Sequence, residues 1–243
     1  MSRKKQNQND LITSNLNKIK LNNVKFTEKQ KAFFSMSSDE KTKIVFVSGP
    51  AGSSKTFISV YTSLLLLSKN PDLDLIYIRT IIESADKGLG ALPGDLNEKF
   101  NPYMIPLMEK LEEVMPSGST IKTDLIKEGR IDAMPINFLR GCSWKDKIVI
   151  MDEAQNASFK ELTTLITRIG ENCKLFICGD LMQSDINGKS GFGGMIKIFN
   201  DEESSKNGIE TFSFNASDIK RSEVLKFIIR KLTKNSKNEK GRN

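Results

Sequence analysis

Four consecutive apolar residues, Ile148, Val149, Ile150 and Met151, three of them β-branched, predict a strand buried on both faces. Such a strand needs helices on each side of its sheet. Comparable short runs recur at 44–47, 73–78, 174–178 and 209–214. Between them the apolar positions change to helical spacing. One such stretch opens at Thr27, a good N-cap, and runs through TEKQKAFFSM. A second follows GPAGSSKT and continues to about residue 67. A third covers about 95–115, where Pro102 and Pro106 predict a bend or a division into two helices. The last two are 159–169 and 217–232, the latter capped by Ser217 with Asp218 in its first turn.

About five strands alternating with helices predict an α/β fold whose parallel sheet is covered on both sides. One segment breaks the rhythm: in 119–138, Ile121, Leu125 and Ile131 flank the turn signal Glu128-Gly129, which predicts a short β-hairpin inserted on the sheet. No linker divides the centre, so a single domain is expected over 23–234, with order beginning near Val24. Residues 1–22, rich in Asn, Lys and Gln, and residues 235–243 are expected as basic tails, the first mostly disordered.

Charge sharpens that division. Of the formal +7, residues 1–22 carry +4 and residues 235–243 carry +2, leaving the centre near +1. The basic ends are therefore where long-range attraction to nucleic acid would originate, although solubilising tails have the same composition. The 243 residues hold three well-separated cysteines, Cys142, Cys173 and Cys178, and no histidine. That excludes a histidine base, a Ser-His-Asp triad and histidine metal ligands, and it suggests neither a zinc site nor a disulfide framework. Catalysis must rest on carboxylates, lysine, arginine and metal, in a reducing, cytoplasmic setting. The aliphatic cluster Leu64 to Leu67 is too short to span a bilayer.

Two motifs carry chemistry. GPAGSSKT follows one strand and opens a helix; it matches the phosphate-loop pattern Gly-x-x-x-x-Gly-Lys-Ser/Thr at every fixed position except Ser54, which replaces the second glycine. Gly49 and Gly52 let the backbone between them, through Pro50, Ala51 and on to Ser53, curl its N–H groups towards phosphate oxygens, and the helix adds the positive end of its dipole. Lys55 would reach the β- and γ-phosphates, and the Thr56 hydroxyl would join a Mg²⁺ shell. Ser54 either crowds the loop and lowers phosphate affinity, or points outward and adds a donor. Downstream, Asp152 and Glu153 end the 148–151 run, where open parallel sheets place ligands. Asp152 suits a Mg²⁺ ion and Glu153 can orient and deprotonate water. Gln30, one turn into the first helix, has the donor and acceptor that an adenine edge requires.

The succession GPAGSSKT, LGALPGD with NPYMIPLMEKL, FLRG, DEAQN, LTTLITRIG, GDLMQSDI and SGF resembles the PhoH family of ATPases, related to the core of superfamily 1 helicases, over roughly 24–232. The resemblance implies a three-layer, RecA-like P-loop NTPase domain that binds ATP with Mg²⁺, hydrolyses it, and has a link to RNA or single-stranded nucleic acid. It also implies a homo-oligomeric ring. By it, Gln30 is the adenine reader, Gly49 to Thr56 the phosphate loop, Asp152 and Glu153 the metal and water-activating pair, and Gln183 the γ-phosphate sensor. Arg168 and Arg221 are the candidates for a positive side chain against the γ-phosphate, within the chain or from a neighbour. Ser54, and Asp185-Ile186-Asn187 where the family tends to continue with Leu-Pro, depart from the pattern. Two rival readings are a nucleotide-binding regulatory or structural subunit with little turnover, and a small-molecule kinase; DEAQ and GDLMQ favour hydrolysis over the kinase.

Overall fold

In the computed structural model the described residues are 19–80, 96–139, 143–183 and 189–219, with Ile186, Val224, Phe227, Ile228 and Lys231. Six strands form one all-parallel sheet: β1 (Ile44–Ser48), β2 (Asp74–Arg79), β3 (Ile131–Pro135), β4 (Lys147–Asp152), β5 (Lys174–Gly179) and β6 (Ile209–Ser213). Their order across the sheet is β3-β2-β4-β5-β1-β6. The four inner strands are the apolar runs of the sequence, buried nearly throughout, while β6 at one edge is only partly covered. Consecutive side chains in a strand alternate between faces, so every inner strand feeds two cores. Val45, Val47, Leu75, Tyr77, Ile148, Ile150 and Phe176 meet one set of helices, and Phe46, Ile76, Ile78, Val149, Met151, Leu175 and Ile177 meet the other.

The first face is covered by α1 (Glu28–Ser38), α2 (Lys55–Lys69), α3 (Leu96–Val114) and α4 (Ile121–Lys127). The opposite face is covered by α5 (Phe159–Ile166) and α6 (Phe192–Phe199), with Trp144, Ile136 and Leu139. This is the expected three-layer α/β architecture. The short helix α7 (Glu202–Lys206) precedes β6. Among the described residues no helix is long and apolar enough to cross a membrane.

Four expectations are corrected or narrowed. The segment 119–138 is not a hairpin: Ile121 and Leu125, four residues apart, lie buried on one side of α4, and Ile131 begins β3, which pairs in parallel with β2. Gly129, at φ +70°, is the left-handed residue that lets the chain leave α4 and enter the sheet. Of the two alternatives at Pro102 and Pro106, the division into two helices falls away, since both sit inside the single helix α3. The expected helix 217–232 is not capped by Ser217: a short 3₁₀ helix, Ala216–Asp218, capped by Asn215, ends in extended backbone at Ile219, and of the remainder only Val224, Phe227, Ile228 and Lys231, all helical, are among the described residues. Order also starts before Val24, because Ile19 is buried and the Asn22 amide donates to the Glu113 and Met115 carbonyls at the end of α3.

At the amino-terminal end of β5 a charged side chain is built into the core. Lys174 Nζ donates to the carbonyls of Ser37, Asp39 and Thr42 at 2.7–2.8 Å. These are carbonyls that the end of α1 and its following turn leave without helical partners. Burial, and next the nearby Lys43 charge, push Lys174 down to about 8, so at neutral pH it keeps the three N–H donors the three acceptors need. Lys174→Met retains the volume and removes every donor. We expect it to cost about 2–3 kcal/mol, the scale of a charge-assisted bond lost from a buried site, measured by urea unfolding; an unchanged midpoint would exclude this role.

Candidate functional site

The site lies at the carboxyl end of the sheet, in a cleft of about 700 Å³. One strand, β5, separates β1 from β4. The loop after β1 and the acidic end of β4 are thus held about 10 Å apart, two strand spacings, with the β5 exit, Gly179 and Asp180, between them. Gln30, Lys55, Thr56, Asp152, Glu153 and Gln183 all line the cleft, together with Tyr77, Arg79, and Glu109 and Lys110 of α3.

The loop of residues 49–54 is fixed by its ends. A Cβ at Gly49 would come within 2.7 Å of Phe214 Cβ, just beyond β6, so only glycine lets the loop pass there. Gly52 turns the chain at φ +79°. Ser53 is buried and its hydroxyl donates back to Pro50 O at 2.7 Å. Ala51 is exposed at the tip. Lys55 Nζ donates to the carbonyls of Gly49 and Pro50, across the mouth of the loop, at 2.6 and 3.0 Å.

Ser54 takes the left-handed conformation, φ 69° and ψ 18°, at the N-cap of α2. A glycine adopts that geometry freely, whereas a side chain strains it. The serine neither crowds the loop nor points to bulk solvent: its Oγ accepts from Gln30 Nε2 at 3.0 Å. Gln30 is itself buried, and its Oε1 accepts from the Thr27 N–H at 3.0 Å while its own N–H donates to Thr27 Oγ1. That capping box is the reason the helix begins where the sequence predicts.

The acidic pair is held by partners on three other elements. Asp152 Oδ1 accepts from the Thr56 hydroxyl at 2.8 Å, and Oδ2 accepts from the Tyr77 hydroxyl of β2 at 2.6 Å. Burial, then the Asp152 charge, holds the Tyr77 phenol well above its ordinary range, so it stays a donor. Glu153, at φ 55° and ψ 38°, also sits in the left-handed region, which turns its side chain out of the strand direction and into the cleft. Its Oε2 accepts from Gln155 Nε2 at 2.6 Å, and Arg79 Nη2 stands 3.5 Å from Oε1. Gln155 is buried, and its Oε1 accepts from Asp180 N at 2.9 Å, so one amide joins Glu153 to the β5 exit. Gln183 is exposed after that exit. Cys178 on β5 is fully buried and pushed up to about 12 by that burial, which makes it an inert thiol.

The structure does not bring Arg168 to this cleft. Arg168 follows α5, and its carbonyl accepts from Trp144 N ahead of β4, at the opposite end of that strand from Asp152. Its Nε is buried without a hydrogen-bond partner among the described residues. Within one chain it therefore cannot face a phosphate at Lys55. Arg221 and Asp185 lie outside the described residues. Tyr77 and Gln155 were missed in the sequence. A tyrosine in the aliphatic run LIYIR was the available signal, since a buried hydroxyl needs a partner.

The family model for PhoH-like protein matches residues 23–233. This chain belongs to the PhoH-like family. PhoH-like proteins of Synechocystis sp. and Bacillus subtilis are 33% and 32% identical to it over 192 and 190 residues, 78% of this chain in each case and 56% and 58% of theirs. Protein PhoH of Escherichia coli is 32% identical over 68% of this chain and 47% of its own. The chain thus spans about half the length of the curated relatives it matches. Among solved structures, the Pif1 helicase from Candida albicans aligns over 79% of this chain and 40% of its own at 14% identity and a TM-score of 0.38, too distant to carry an argument. Family and architecture together identify a P-loop nucleotide-binding fold.

In this PhoH-like chain the Tyr77–Asp152 bond is partly buried and charge-assisted. Tyr77→Phe should lower stability by about 1.5–3 kcal/mol with the sheet retained, read from chemical unfolding alongside circular dichroism. A variant as stable as the parent would show that Asp152 does not need the phenol.

Proposed function

We propose that this protein is a Mg²⁺-dependent ATPase, hydrolysing ATP to ADP and phosphate. The observation that carries the reading is the convergence of Lys55 and Thr56 with Asp152 and Glu153 in one cleft, with the metal-type carboxylate already bonded to the phosphate-loop hydroxyl. The donor set fits the ion. Magnesium favours hard oxygen ligands and keeps several waters, so one carboxylate and one hydroxyl suffice beside phosphate oxygens. Among the described residues no group of three His, Cys, Asp or Glu offers the all-protein cage that other metals use. Thr56 and Asp152 would hold the ion, which supplies charge neutralisation on the β- and γ-phosphates.

The chain's own residues do the rest. Lys55 exchanges the Gly49 and Pro50 carbonyls for phosphate oxygens, and the N-terminus of α2 faces the same anion. Glu153, anchored on one oxygen by Gln155, keeps lone pairs for the attacking water and takes its proton as the bond to the γ-phosphorus forms. Gln183, beside the transferred phosphoryl group, reports its loss to the segment that follows, and Arg79, beside Glu153, does the same for the loop after β2. The positive charge for the transition state comes from Arg221 or from a neighbouring subunit of a homo-oligomeric ring. RNA or another single strand is the proposed partner, in a cytoplasmic protein. A nucleotide-binding subunit with little turnover is the alternative, favoured by one observation: Ser54 in a conformation that glycine takes more readily.

Lys55→Ala should abolish hydrolysis and weaken ATP binding, while Glu153→Gln should bind ATP normally and turn it over about 10²–10⁴-fold more slowly, the usual worth of a general base. Phosphate release and nucleotide titration separate the two; equal loss of binding in both variants would contradict the division of labour. For RNA, the basic ends should supply most of the attraction, each neutralised phosphate adding about 0.7 to the salt slope of log affinity. Deleting residues 1–18 and 235–243, outside the buried Ile19, should flatten that slope and leave basal hydrolysis unchanged. An identical slope would place the contacts on the core, around Arg79, Lys87 and Arg140.

A further inference from the structure

We infer that Ser54 is a specificity-determining positioning residue: its hydroxyl anchors the Gln30 amide so that the cleft selects adenine over guanine. The inference rests on the proposal that this cleft binds a nucleoside triphosphate with Gln30 beside the base.

A glutamine amide offers two acceptor lone pairs and two N–H donors. At Gln30 the Thr27 N–H takes one lone pair at 3.0 Å and Ser54 Oγ takes one N–H at 3.0 Å. The backbone donor at Thr27 determines which end of the amide is oxygen, and the Ser54 hydroxyl holds the other end in place. Each end keeps one group unspent, an acceptor on Oε1 and a donor on Nε2, and the side chain is buried against the cleft wall. Adenine presents a matching donor at its N6 amino group and an acceptor at N7, whereas guanine presents acceptors at both O6 and N7. An amide fixed at both ends satisfies the first base with two bonds and sets its oxygen against an acceptor of the second.

Glycine at position 54 would remove the second anchor and leave the Nε2 end free to rotate. The serine is kept in a left-handed conformation that costs a side chain on the order of 1 kcal/mol, and strain of this kind is retained where a local interaction compensates. Its one visible return is the bond to Gln30. Because the Ser54 oxygen accepts from Gln30, its own proton remains available to a phosphate oxygen. A single hydroxyl thereby links the base reader to the phosphate loop.

The test is equilibrium titration of non-hydrolysable ATP and GTP analogues with Mg²⁺, on the full chain and five variants. Ser54→Gly relieves the backbone strain and Ser54→Ala keeps it; both remove the hydroxyl. Gln30→Met removes both the oxygen that accepts from N6 and opposes O6 and the donor. Each single variant should lower the ATP-to-GTP affinity ratio about fivefold, the worth of one neutral hydrogen bond. The double variant Ser54→Gly with Gln30→Met should lower it no further than Gln30→Met alone, because the two residues act as a unit. If the serine variants weaken both nucleotides equally while Gln30→Met still changes the ratio, the inference is overturned and base reading by Gln30 stands. A ratio unmoved by Gln30→Met overturns the inference together with base reading. Loss of neither nucleotide's binding in Lys55→Ala would overturn the underlying assignment of the cleft.

Discussion

The carboxylate of Asp152 joins three elements at one point. Its own backbone ends β4, one oxygen binds the first turn of α2 through Thr56, and the other binds β2 through Tyr77. The phosphate-loop helix is thereby tied to the sheet by a charged group in a partly enclosed site, where a hydrogen bond is stronger than in water and an unpaired charge is costly. The remaining geometry follows from that attachment. With α2 fixed against β4, the loop of residues 49–54 and the Glu153 side chain face each other across the β5 exit. The Gln155 amide then sets the distance between Glu153 and Asp180.

The fold was legible where physical signals were redundant. The 148–151 run is apolar at every position because both faces of β4 are covered, and GPAGSSKT sits between a strand and a helix because the loop works only in that setting. The start of the first helix was placed correctly because Thr27 and Gln30 form a local capping box that needs no tertiary partner. The segment 119–138 was misread because spacing alone cannot separate its two readings. Ile121 and Leu125 at i and i+4 suit a helical face, and Glu128-Gly129 suits a hairpin turn as well as a helix end. What decides is that β3 pairs with β2, a residue separation of more than fifty that no local pattern carries.

Much of the cleft lining was legible in the sequence, and its connections were not. The pairing of Ser54 with Gln30 spans 24 positions and that of Tyr77 with Asp152 spans 75, so neither leaves a trace in local composition. Arg168 shows the converse. The stretch TRIG has the look of a site arginine, yet the parallel connection from α5 back to β5 returns the chain to the amino-terminal end of the sheet, far from the phosphate loop. In an α/β fold, whether a residue follows a strand or precedes one decides which end of the sheet it occupies.

The contact of Gly49 with Phe214 has a consequence for the order in which the molecule is assembled. β1 lies between β5 and β6, and the Ser48 and Ser213 hydroxyls that bond across its exit are 165 positions apart. Contacts of such long range form slowly, because loop-closure entropy must be overcome before they return any energy. A phosphate loop that follows β1 therefore waits for β5 to gain its first lateral neighbour and for β6 to gain its second. During synthesis its support would arrive in two steps, both long after the loop itself has been made.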